Sequence, residues 1–158
     1  MKNRPILISI IAITQAVIAS VFILYNQFVW TFHLTAFLMN ISLLTLILLA
    51  SFGLWKAKQW GWWLTNIYYI QVLFNTVIST INYLYIVPRQ FEGIEVDISN
   101  MLSPVMILTI IIGLFIPFYL FRKTTLHYFN INNDKTKLIL ITIIAFIWSF
   151  STSFLLFN

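Results

Sequence analysis

Few side chains in this sequence carry chemistry, and their spacing limits what they can do together. His33 and His127 are the only imidazoles. They fall in separate short polar stretches of the chain, so neither a shared metal nor an acid and base pair is expected of them. Three of the four acids, Glu92, Glu95 and Asp97, lie close together beside Gly93. Carboxylate oxygens at such density suit Ca²⁺ in principle, but the spacing follows no calcium-loop pattern, and a solvated acidic loop is the stronger reading. There is no cysteine, which excludes disulfides, thiolate nucleophiles and thiolate metal sites. Phosphate-binding loops, His-Glu-x-x-His and Gly-x-Ser-x-Gly are absent too. No catalytic, cofactor-binding or metal residue is therefore assigned, and no cofactor is expected.

One polar pattern has a regular period. Tyr68, Gln71, Asn75, Ser79 and Asn82 follow one another at three or four residues, which places them along one face of a helix. Interhelical hydrogen bonding is the simpler role for this stripe, with Gln15 and Asn40 as partners at about 0.6 to 2 kcal/mol per bond. The alternative is a polar pathway, as in a transporter or channel component.

The elements that would carry these residues are set by long runs without charge. The chain has 158 residues, is 61% hydrophobic and only 8% charged, far from the make-up of a soluble domain. No Lys, Arg, Asp or Glu occurs between Pro5 and Trp55, Gln59 and Pro88, Ile98 and Phe121, or Leu138 and Asn158. A bilayer-crossing helix needs about 20 apolar residues. The runs therefore predict an all-α polytopic membrane protein, one transmembrane domain over 1–158, with spans near 6–25, 34–54, 62–87, 101–121 and 138–157. Ser103-Pro104 suits the opening of the fourth, and Gly113 and Pro117 mark a kink. The fifth has an interfacial helix as its alternative. Val17-Ile18-Ala19 before Ser20 resembles a signal-cleavage site, but apolar residues continue past it and favour a retained helix.

Basic clusters orient this reading. Lys2, Arg4, Lys56, Lys58, Arg122, Lys123, Lys135 and Lys137 fall in alternate connections and so predict the N-terminus inside and the C-terminus outside. Trp55, Trp60, Trp62 and Trp63 beside Lys56 and Lys58 are expected at one headgroup level, Tyr83 and Tyr85 at the other. Arg122-Lys123 and Lys135-Lys137 would also attract anionic headgroups. The net charge of +5 is spread over these clusters and no nucleic-acid face is expected.

The segment Gly53-Leu54-Trp55-Lys56-Ala57-Lys58-Gln59-Trp60-Gly61-Trp62-Trp63-Leu64 resembles a hairpin of small, uncharacterised bacterial multispan membrane proteins. That resemblance implies a helical hairpin in a cytoplasmic membrane and transfers no site residue. The expected function is that of a small, non-enzymatic accessory, immunity or stress-protection factor in the cell membrane. It would act through lipid and helix contacts with a membrane-protein partner or as a homo-oligomer.

Overall fold

The computed structural model describes the backbone of residues 5–29, 34–81, 84, 103–132 and 135–157, with side chains over 5–21, 41–81, 84, 103–104, 106–132 and 136–151. Among these residues the chain is helical and carries no strand. In chain order the helices are α1 (Ile6–Val29), α2 (Leu34–Trp55), α3 (Gln59–Ile81), α4 (Pro104–Leu120), α5 (Lys123–Tyr128) and α6 (Lys135–Phe157).

Long apolar runs rich in Leu and Ile explain the helices, and in α1 and α6 no Gly or Pro interrupts the backbone ladder. What they do not provide is a membrane crossing. Among the described residues, no helix is long and apolar enough to cross a membrane. This overturns the reading of a polytopic, transmembrane, integral membrane protein with five spans, its N-terminus inside and its C-terminus outside. The reasons differ by helix. The α4 helix stops after 17 residues, short of the length a bilayer demands. The α3 helix has 23 residues, but Asn66, Gln71, Asn75 and several hydroxyl side chains dilute its apolar character.

The chain divides into two compact units. The first comprises Met1–Asn66 with Tyr119–Asn133, the second Ile67–Phe118 with Asp134–Asn158. In the first, α1 packs on α2. Ile8, Ile11, Ala12, Gln15 and Ala19 of α1 are buried, a three-and-four spacing that marks one helical face. On α2 the buried set is Leu44, Ile47, Ala50, Ser51 and Leu54.

The turn from α2 to α3 is a helix stop built around a left-handed residue. The Ala57 N–H donates to the Leu54 carbonyl and the Lys58 N–H to the Gly53 carbonyl, at 3.1 and 2.8 Å. Ala57 sits at φ 52°. These are the two bonds of a Schellman motif, which satisfies carbonyls that a helix end leaves open. The end of α5 repeats it: Asn130, at φ 54°, donates to the His127 carbonyl, and Ile131 donates to that of Leu126.

In the second unit α4 opens as its sequence suggests. The Ser103 hydroxyl accepts from the Met106 N–H at 3.3 Å, and Pro104 occupies the first helical position, where its missing donor is not needed. Pro117 lies inside α4 and leaves the Gly113 carbonyl without its helical donor. The α6 helix turns Ile141, Ala145 and Ser149, all fully buried, to the interior at a four-residue period. It meets the second unit's part of α3 through an edge-on contact of Phe146 with Phe74, centroids 5.4 Å apart.

Candidate functional site

The polar stripe does not form a single surface. Tyr68, Gln71, Asn75 and Ser79 all belong to α3 and to the second unit, while Asn82 lies outside the described residues. Gln71 is buried, Tyr68 and Asn75 are half-buried and Ser79 is exposed. Between them, the Thr76 and Thr80 hydroxyls donate back to the Val72 and Thr76 carbonyls, which saturates those groups within the helix. The interhelical bond made here comes from α6: the Ser149 hydroxyl donates to the Gln71 carbonyl at 3.0 Å. The side chain of Asn40 lies outside the described residues. Gln15 is buried in the first unit, and among the described residues neither of its amide atoms has a hydrogen-bond partner, so the bond expected of it is not made there.

His127 is exposed on α5. His33, Glu92, Glu95, Asp97, Lys2, Arg4, Tyr83 and Tyr85 lie outside the described residues, as does the side chain of Lys135. Among the described residues, no group of three or more His, Cys, Asp or Glu could hold a metal ion.

Among the described residues, the α2–α3 hairpin of the first unit holds the most closely packed backbone contact. Gly53 and Gly61 bring the two helices into backbone contact. A Cβ on Gly61 would penetrate the Gly53 and Leu54 backbone, and one on Gly53 would lie 2.6 Å from the Gly61 Cα and from the Trp60 ring. Only glycine allows this approach. It carries Trp62, one residue later, into the interior.

Trp62 is fully buried, and its indole N–H donates to the Leu120 carbonyl at 2.9 Å. That carbonyl is one of the groups the end of α4 leaves open. The Trp62 ring also meets Phe121 and Trp63 edge-on, at 5.0 and 5.6 Å. Three residues before Trp62, the Gln59 amide donates to the Asn130 carbonyl at 3.0 Å, so the residue that turns the chain after α5 is itself held by the start of α3. Two contacts thus fasten α3 to the segment 120–130. Trp55 and Trp60 remain 42% and 41% exposed.

Sequence reasoning grouped the four tryptophans as headgroup markers. Trp62 departs from that role, and a signal for it existed: Trp62, Thr65, Asn66 and Tyr69 recur at three or four residues, and all are buried. Thr65, Asn66 and Thr125 each keep one buried oxygen without a hydrogen-bond partner among the described residues.

The chain's likeness to known proteins adds no identity to this geometry. No protein-family model, no curated protein and no solved structure matches it.

Proposed function

We propose that this protein is a non-enzymatic accessory, immunity or stress-protection factor that works at a lipid bilayer through helix contacts with a membrane-protein partner. One observation carries the reading: apolar surface stands exposed along the described lengths of two helices. On α4, Ile107, Leu108, Ile111, Leu114, Phe115 and Phe118 are all exposed, Phe118 at 76%. The α6 helix presents Ile139, Ile143, Phe146, Ile147 and Phe150 in the same way.

Single exposed apolar residues are ordinary, but surfaces of this extent mark sites that lipid or another protein covers. Fully burying an exposed side chain of this kind stabilises by about 1.5 to 3 kcal/mol, and covering what remains exposed here gains about half of that. A helix apolar on most of its circumference has no favourable resting place in water. Crossing the bilayer is no part of this reading. The non-enzymatic part rests on the scarcity of ionisable and nucleophilic groups, with four acids and no cysteine in the chain.

Cell fractionation followed by affinity capture tests the proposal. The tagged protein should sediment with membranes, stay there through a high-salt wash, and bring down a stoichiometric membrane protein in mild detergent. Recovery from the soluble fraction, unaccompanied, would remove the reading.

A further inference from the structure

Charge divides unequally between the two units. The segments of the first contain Lys2, Arg4, Lys56, Lys58, Arg122 and Lys123 and not one Asp or Glu. Those of the second contain Arg89, Lys135 and Lys137 together with all four acids, Glu92, Glu95, Asp97 and Asp134. The first unit therefore carries a formal +6 and the second −1, which add to the +5 of the chain. A unit with six cations and no anion has no internal neutralisation, and its field reaches about 8 to 10 Å at ordinary ionic strength.

Four of those cations are placed by the described structure. Lys56 and Lys58 stand exposed on the α2–α3 turn, and Arg122 and Lys123 stand exposed between α4 and α5. The contacts of Trp62 and Gln59 join the two places. Lys58 precedes Gln59, whose amide holds Asn130 beyond the end of α5. Arg122 lies two residues after Leu120, whose carbonyl holds Trp62. Both basic pairs therefore flank the same pinned junction. Arg122 stands at the N-cap of α5 but makes no side-chain cap bond. The Lys56 ammonium lies over the Phe52 ring, 5.8 Å from its centroid, and the lysine is still exposed. Trp55 and Trp60 stand exposed among these cations.

We infer that this junction is a docking surface for anionic phospholipid headgroups, with Lys56, Lys58, Arg122 and Lys123 meeting phosphate and Trp55 and Trp60 entering the headgroup layer. A flat anionic surface suits cations spread over two turns better than a single small anion would. Exposed indoles beside lysines are the pairing that a headgroup layer accommodates, ring toward the acyl boundary and ammonium toward phosphate. Basic residues near such a surface act additively. This inference rests on the bilayer reading above and adds the lipid class and the residues that select it.

Vesicle flotation separates the two. The full chain is exchanged from mild detergent onto vesicles of phosphatidylcholine alone or with about one third phosphatidylglycerol. At low salt the wild type should favour the anionic vesicles at least about tenfold. The variant K56Q/K58Q/R122Q/K123Q should lose that preference while still binding, and K137Q should keep it. The exchanged variant K56R/K58R/R122K/K123R should keep it as well, and helical circular dichroism establishes that each variant is folded. Equal wild-type binding to both vesicles, or an unchanged preference in the glutamine variant, overturns the inference and leaves the bilayer reading standing. Binding to neither vesicle overturns both.

Discussion

The α3 helix belongs to both units, and its two parts are held in different ways. Residues 59–66 are fixed by side-chain donors on backbone carbonyls, Gln59 to Asn130 and Trp62 to Leu120, and by a glycine contact that admits no Cβ. Residues 67–81 are held mainly by packing, through Leu73 against Gly113 and Phe74 against Phe146, with the Ser149 hydroxyl on the Gln71 carbonyl as a polar link. Directional bonds specify one geometry, whereas apolar packing tolerates adjustment. The first part should therefore respond sharply to single changes and the second should absorb them.

The largest effect is expected at Gly61. Gly61→Leu pushes a branched side chain into the Gly53 backbone, and no rotamer relieves a clash that begins at Cβ. A loss of about 3 kcal/mol or more is expected by thermal melting in detergent, at the upper end of overpacking costs. Gly113→Ala is its counterpart in the other part of α3. There the new methyl meets the flexible end of Leu73 at 2.8 Å, and the loss should be about 1 kcal/mol. Equal losses at the two glycines would remove the distinction between pinned and packed halves.

Trp62→Phe is expected to come next. It retains a ring against Phe121 but leaves the Leu120 carbonyl buried without its donor, which costs about 1 to 3 kcal/mol. The corresponding removal in the second unit, Ser149→Ala, frees a Gln71 carbonyl that still has its own helical environment, and about 0.5 to 1.5 kcal/mol is expected. Chemical denaturation of both variants under one condition would rank them, and a larger loss for Ser149→Ala would contradict the comparison.

Much of the helical layout was legible because charge-free apolar runs ended at basic or proline-containing stretches. Ser103-Pro104 was legible as a helix start for the same local reason, and Ser103 does cap α4. The crossings were not, because the length of a charge-free run overlooks both the 17 residues that α4 spans between Pro104 and Leu120 and the polar dilution of α3. The junction was half legible. Gly53, Gly61 and the tryptophans stood out, but a headgroup role for Trp62 followed from its residue type, whereas its actual role follows from a carbonyl 58 positions away. Long-range partners of that kind leave no periodic trace. The pairing expected of Gln15 failed for the same reason, since residue type shows a capacity to bond and not the partner within reach.

The smallest effect has the opposite sign. The two helix stops of the first unit use the same pair of backbone bonds, yet one places Asn130 and the other Ala57 in the left-handed region. Asparagine tolerates that conformation and alanine does not, the strain being about 1 to 2 kcal/mol for an ordinary L-residue. Ala57→Gly removes the strain but adds backbone freedom to the unfolded chain worth up to about 1 kcal/mol. A net gain of about 0.5 to 1 kcal/mol should appear as a higher melting temperature, while Asn130→Gly should change little. Ala57 is half-buried between two exposed lysines, so only the partly covered methyl is lost against the gain. A fall in melting temperature for Ala57→Gly would mean that the turn is not held at this φ, and the pinned character of the hairpin would then rest on Gly53, Gly61 and Trp62 alone.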